Sequence, residues 1–431
     1  VTGVQTCALP ISLESLGLDL NEAAPLLADM LSLPSDRYPP PALSPRQRRE
    51  RLLHTLVTVI ECMAAREPVL MVVEDAHWLD PSSLELIGLV IERLKSARLL
   101  LIVVFRPEFT SPWSGYANLT SLMLNRLSRR ESVALISNVA RGKALPNDVL
   151  TQIIDRTDGV PLFVEELTKT ILESDLLQDA GDRYVLSGPL PALAIPASLH
   201  DSLMARLDRL APVKEVAQLA ATLGRTFSHE LLATVSPLKE KELEDAVLQL
   251  VEAQLIYRRG LPPDATYEFK HALVQDAAYH SLLKSTRQQY HERIARVLEE
   301  KFPEVVDSAP ELLARHYTEA NLTEQAIAYW QRAGQKAIER SANLEAVDQL
   351  GKALELLERL PDTPQRAQQE LKLQITLAVP LTATSGYAAP EVERAYTRAR
   401  ALCQQIGDTT QLFPALYGLW RYYLLRAEYA I

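Results

Sequence analysis

The stretch VLMVVEDAHWLD, residues 69–80, decides the fold. Val69 to Val73 is a short continuous apolar run, β-branched at its end. That pattern predicts a strand buried on both faces, as in parallel sheets. Pro68 stops the preceding helix, whose apolar positions Leu52, Leu53, Leu56, Val57, Ile60 and Met63 recur at helical spacing from Ser44-Pro45 to about Ala65. Downstream, Asp80-Pro81 supplies an N-cap and an N1 proline, and Leu84, Ile87, Ile91 and Leu94 form one helical stripe. Leu99 to Phe105 is a second apolar run. Strand, helix, strand over residues 69–105 predicts a βαβ unit with a right-handed crossover. Leu119 to Leu124 reads as a weaker third strand. Trp78 reads as a core residue.

Composition bounds the rest. The chain has 431 residues, 45 Lys+Arg against 55 Asp+Glu, a net charge of −10, and 47% hydrophobic residues. That length suggests about two to four domains, and the apolar fraction excludes global disorder. The acidic balance argues against general binding to nucleic acid or anionic membranes. Leu99 to Phe105, the longest unbroken apolar run, is far short of the roughly 20 residues a bilayer needs. Cys7, Cys62 and Cys403 are scattered and odd in number, which excludes a disulfide framework and a Cys-based zinc site and fits a reducing cytoplasm.

After residue 128, helical patterns fill 129–141, 147–157 and 161–177. The Pro-rich stretch Gly188-Pro189-Leu190-Pro191, then Pro196, predicts a boundary. Short helices follow to residue 300, interrupted by an extended pair, Leu255–Arg258 and Tyr267–Phe269, joined by the turn-rich segment Arg259–Asp264. Helices with a small hairpin predict a winged-helix shape. Beyond about residue 308 everything reads as helix. Pro34 to Pro45 reads as an extended linker. Val1 to Ser12 lacks a start signal and any charge, resembles translated adaptor read-through, and is set aside. Tyr429-Ala430-Ile431 falls inside a helical pattern without a stop signal, so an internal piece of a longer polypeptide is expected.

The strand at 69–73 delivers two adjacent acids, Glu74 and Asp75, at its carboxyl end, where ligands sit in open α/β sheets. One acid can hold Mg²⁺ and the next can orient an attacking water; a solvated acidic turn is the alternative. The full string closely resembles the Walker B segment of bacterial STAND-type AAA ATPases, the signalling P-loop NTPases that occur fused to class III adenylate or guanylate cyclase domains and to tetratricopeptide (TPR) repeats. The resemblance runs through most of residues 13–431. It includes Phe105-Arg106-Pro107-Glu108, the string GVPLFVEEL at 159–167, SLMARLDRL at 202–210 and FKHALVQDAAY at 269–279, in the family's order.

What the resemblance implies is a multidomain chain. It comprises a partial α/β P-loop NTPase core with a parallel sheet (13–127), a helical lid (128–190), a winged-helix domain (191–307) and an α-helical TPR-like solenoid (308–431). Glu74 takes the Mg²⁺ position and Asp75 the water-orienting position, although the order departs from the commoner Asp-first pair. Arg106 falls at the sensor-1 position near the terminal phosphate, or is a surface arginine. Pro161 matches the GxP proline that packs on adenine, and also suits a helix start. His271 falls where related NTPases place a histidine against the β-phosphate of ADP, or is structural. ATP/ADP and Mg²⁺ are the implied cofactors.

The Walker A pattern G-x-x-x-x-G-K-[ST] is absent. Gly142-Lys143-Ala144 and Gly351-Lys352-Ala353 lack both the hydroxyl and the earlier glycine. The chain alone is therefore expected to hold ATP poorly. His291-Glu292 lacks the second histidine of a zinc-protease helix, and no G-x-S-x-G occurs. Winged-helix modules commonly serve as lids in these NTPases, so direct DNA contact by this segment is not expected. Leu313, Ala314 and Tyr317 fit the first helix of a TPR; Ala326, Trp330 and Ala333 fit the second, and Ala346, Leu350 and Ala353 repeat the second-helix pattern too early for a repeat of about 34 residues. A generic helical bundle is the alternative. Protein partners through these helices are expected, and no membrane contact. The expectation is an ATP-dependent signalling switch belonging to a cyclase-type regulator. The rivals are a MalT-like transcription regulator and a TPR scaffold with an inactive core.

Overall fold

A computed structural model describes residues 12–31, 33, 42–93, 95–174, 176–188 and 198–427. The non-native reading of residues 1–12, all but Ser12, lies outside them. So do most of the 34–45 linker, the Pro-rich boundary beyond Gly188, and Tyr429–Ile431. The described chain is mostly helical and forms two compact units. One comprises the described parts of 1–121, 302–318 and 322–431; the other comprises 122–301 and 319–321.

In the first unit, α1 (Leu20–Met30) is capped by Asp19, whose side chain accepts the Asn21 N–H. The 22-residue α2 (Pro45–Arg66) opens on a capping box: Gln47 N–H donates to Ser44 Oγ and Ser44 N–H donates to Gln47 Oε1. β1 (Val69–Val73) and β2 (Leu99–Val103) pair in parallel, Val69 opposite Leu99 and Val73 opposite Val103, with α3 (Pro81–Arg93) as the crossover. The strand-helix-strand expectation holds in element type and order. The burial expectation does not. Val57 of α2 and Ile87, Val90 and Ile91 of α3 cover one face. Leu70, Val72, Leu100 and Ile102 on the other face are 42–62% exposed, because the described helices of this unit pack on one side of the pair. The third strand at Leu119–Leu124 is absent: these residues have no ladder partner, and Leu122, Met123 and Leu124 are exposed. A β propensity without a neighbouring strand leaves its backbone groups unpaired.

The second unit begins with α4 (Arg129–Val139), set by the Ser128/Glu131 capping box, then α5 (Asn147–Thr157) and α6 (Pro161–Leu172). Ile136, Val149, Ile153, Val164 and Leu167 form their shared core. α6 ends at Leu172, five residues before the expected 177. A hairpin of β3 (Leu177–Asp179) and β4 (Tyr184–Leu186) follows, its turn carrying Gly181 at φ 92°. Next come α7 (Leu199–Arg209), α8 (Ala211–Leu223), β5 (Thr226–Ser228), α9 (His229–Val235), α10 (Glu240–Glu252), β6 (Ile256–Arg259), β7 (Thr266–Phe269), α11 (Ala272–His280) and α12 (Lys284–Lys301). The expected extended pair is β6–β7, antiparallel. β5 joins it from the other side to give the order β5-β7-β6. Phe227, Tyr267 and Phe269 pack their rings on the core side.

The first unit resumes with α13 (Pro303–Ser308) and α14 (Pro310–Glu319). α15 (Thr323–Glu339), α16 (Asn343–Leu357), α17 (Pro364–Ser385), α18 (Pro390–Ile406) and α19 (Leu412–Leu425) complete it. From α15 to α19 consecutive helices pack chiefly on one another, a quasi-one-dimensional array. Leu313, Ala314, Tyr317, Ala326, Trp330, Ala333, Ala346, Leu350 and Ala353 are all buried, as their pattern predicts. A Cβ at Gly334 would lie 2.5 Å from Leu350 Cγ, so the glycine sets the approach of α15 to α16. The spacing is irregular: α17 has 22 residues, longer than a repeat of about 34 accommodates in one helix. No helix among the described residues is long and apolar enough to cross a membrane.

Candidate functional site

At the carboxyl end of β1 the ladder runs one residue past the strands. Val104 N–H donates to the Val73 carbonyl at 2.8 Å and Ala76 N–H to the Val104 carbonyl at 2.9 Å. Between these anchors lie Glu74, exposed, and Asp75, half-buried and left-handed at φ 52° and ψ 42°. Aspartate tolerates that region better than most side chains. The reversal starts a 3₁₀ turn over Ala76–Trp78, in which Ala76 is fully buried. Trp78, expected in the core, is 74% exposed. The turn spends its one inward position on Ala76, and the indole lies outside. Because the strands are parallel, β2 ends at the same edge. Arg106, three residues past Val103, is exposed there. The structure thus brings Glu74, Asp75 and Arg106 to one edge of one sheet.

His77 was not singled out by sequence. It is half-buried against the Trp78 ring, centroids 5.3 Å apart, and neither ring nitrogen has a hydrogen-bond partner among the described residues. A buried polar atom without a partner costs free energy. A histidine two residues after an acidic pair was the available signal.

The second unit holds the other two expected residues. Asp158 and Gly159 are both left-handed, at φ 46° and 69°, and Pro161 then occupies the first turn of α6. Leu127 N–H donates to the Gly159 carbonyl at 2.7 Å. A Cβ on Gly159 would lie 2.2 Å from the Leu127 carbonyl oxygen, so this position requires glycine. One turn into α6, Glu165 accepts from Lys169 at 2.6 Å and from Lys270 at 3.2 Å. Burial pushes the Glu165 carboxyl up, but the two ammonium groups outweigh it and leave it below the usual range. Glu166 pairs with buried Arg206 and lies 3.6 Å from Lys169. Arg206 also donates to the Ala253 carbonyl at 2.7 Å.

His271 follows Lys270 and is the N-cap residue of α11. Its Nε2 is buried without a hydrogen-bond partner among the described residues. Burial lowers its pKa; Lys270 and, more weakly, Lys169 reinforce that shift, and Glu165 and Glu166 oppose it. The cationic form is disfavoured. A cleft of about 370 Å³, lined by Val251, Gln254, Ile256, Tyr257, Arg258 and Lys270, opens beside this network. The structure therefore joins the Pro161 helix to the His271 segment across about a hundred residues of sequence. The ionic network doing so is invisible in local patterns.

No family model matches the chain. An uncharacterized protein of Rhizobium meliloti (strain 1021) is 28% identical over 389 residues, covering 87% of this chain. The chain spans 36% of that protein's length. Among solved structures, a Signal Transduction ATPase with Numerous Domains (STAND) protein with a tetratricopeptide repeat sensor from Pyrococcus horikoshii aligns with a TM-score of 0.41. Its identity is 13%, over 86% of this chain and 55% of that one.

Proposed function

We propose that the chain is the central part of an ATP-dependent signal-transduction switch of the STAND type. Its α14–α19 array is the sensor, and a nucleotide cyclase elsewhere in the polypeptide is the output. The observation that carries this reading is the parallel pairing of β1 and β2, which delivers Glu74, Asp75 and Arg106 to one edge. The donor set fits a magnesium nucleotide. Carboxylate oxygens are hard ligands suited to Mg²⁺, and a guanidinium suits a phosphate. In this reading Glu74 holds Mg²⁺, Asp75 orients water and Arg106 meets the terminal phosphate. Bound Mg²⁺ would supply charge neutralisation at the phosphates.

In the second unit, Pro161 is assigned to adenine and His271 to the β-phosphate of ADP. Support for His271 is its buried Nε2 with no partner among the described residues, together with a pKa lowered by burial and Lys270, which favours the neutral ring. The array is assigned to protein partners because stacked helices expose extended surfaces.

Two measurements test this reading. Calorimetry on the 431-residue chain is expected to show negligible ATP affinity, since the sequence holds no Walker A pattern. A polypeptide that includes an upstream phosphate-binding loop is expected to bind ATP in a Mg²⁺-dependent manner, and Glu74→Gln to weaken that binding. Micromolar ATP affinity in the chain itself, or Mg²⁺-independent binding in the longer one, refutes the assignment.

A further inference from the structure

We infer that Glu345, at the start of α16, latches the helical array to the first turn of α3, the helix that follows the acidic turn at the end of β1. Both elements belong to the first unit. Glu345 Oε1 accepts the backbone N–H of Ser82 at 2.9 Å, across 263 residues of sequence, in a partly buried contact. Ser82 is the second residue of α3, whose first-turn N–H groups have no partner within the helix. Asp80 caps the same turn from within, its oxygens accepting Ser83 N–H at 2.8 Å and Ser83 Oγ at 2.6 Å. Asp80 engages Ser83 and also meets the Glu345 side chain, and Glu345 supplies the acceptor that Ser82 needs. Burial pushes the Asp80 carboxyl up; the bonds from Ser83, joined by those from its own backbone and the Glu345 side chain, outweigh it, and Asp80 is held below its usual range. Arg49 of α2 closes the cluster, donating to Ser82 Oγ at 3.1 Å and to Glu85 at 2.6 Å.

The contact matters because of where it falls. Residues 76–82 form one short connection. Its first end is fixed to β2 by the Ala76-to-Val104 bond and its second end to the array by Glu345. Glu74 and Asp75 immediately precede the first anchor. A carboxylate at the N-terminal end of a helix is favoured by the helix dipole. The bond therefore stabilises one placement of α16 against α3, the helix that follows the acidic turn. A partner that rotates α16 away removes the cap and releases the second anchor. The latch is a property of this chain and needs no nucleotide; only its use in signalling rests on the function proposed above.

Hydrogen exchange on the whole chain tests it without nucleotide. Glu345→Ala is expected to raise exchange in peptides covering residues 76–86 about fivefold, the effect of losing one carboxylate cap worth roughly 1 kcal/mol. Glu345→Gln, which keeps an acceptor oxygen, is expected to raise it less. Peptides covering residues 226–269, in the other unit, are expected to stay unchanged. Unaltered exchange at 76–86 in the Ala variant, or an equal rise at 226–269, overturns the latch.

Discussion

Replacing Arg206 by alanine is expected to destabilise the second unit by about 3 kcal/mol. Arg206 and its partner Glu166 are 4% and 2% exposed. Removing one member of a buried pair leaves the other charge uncompensated, which costs about 3–5 kcal/mol. The Ala253 carbonyl also loses its donor. Lys169, 3.6 Å from Glu166, remains and holds the cost to the lower end of that range. For a unit of this size about 3 kcal/mol corresponds to a melting shift of roughly 6–12 °C. All four tryptophans, at 78, 113, 330 and 420, lie in the other unit, so their emission reports that unit. Urea unfolding followed by circular dichroism is expected to gain an earlier transition while the tryptophan transition stays in place. The paired change Glu166→Leu with Arg206→Met, which keeps volume and removes both charges, is expected to fall within about 1 kcal/mol of the parent. A loss under about 1 kcal/mol in the single variant, or a double variant as unstable as the sum of both singles, refutes the buried-pair account.

Two further outcomes follow from the same unit. Gly159→Ala places a Cβ against the Leu127 carbonyl in a left-handed backbone, and a loss of about 2–4 kcal/mol is expected by thermal denaturation; a loss below about 0.5 kcal/mol contradicts the close approach. His271 binds its proton at lower pH in the folded chain than in the unfolded one, whose ordinary value is near 6.5, because burial and Lys270 disfavour the imidazolium. Unfolding therefore takes up a proton as pH falls through that window, and stability declines on acidification. The melting temperature is expected to drop between about pH 7.5 and 5.5, and to drop less in His271→Gln; parallel pH profiles for the two proteins contradict the assignment.

The sequence patterns succeeded where one element suffices to specify itself. The Ser44-Pro45 start, the Asp80-Pro81 start and the apolar runs of β1 and β2 carry their own signals, and each element appears. The small residues Ala314 and Ala326 read correctly because close helix packing tolerates little else. Leu119–Leu124 misled because an apolar run says nothing of a partner strand. Trp78 misled because the direction of the turn depends on Asp75 entering the left-handed region, which its neighbours do not announce. The short strands β3 and β5, three residues each, are below the length at which alternation is legible. At the site, Glu74, Asp75 and Arg106 were legible because strand ends and parallel pairing dictate their shared edge. The Glu165–Lys270 and Glu166–Arg206 pairs and the Glu345–Ser82 bond join residues 105, 40 and 263 apart, and only the tertiary fold brings them together.

The most direct test of the switch reading is ATP hydrolysis by the longer polypeptide that carries this chain together with a phosphate-binding loop, measured beside its Asp75→Asn variant. The account predicts that the variant binds Mg²⁺–ATP with near-parental affinity while its turnover falls by about 100-fold, the size expected when a water-orienting carboxylate is lost. Parental turnover in a folded, nucleotide-binding Asp75→Asn protein would contradict it.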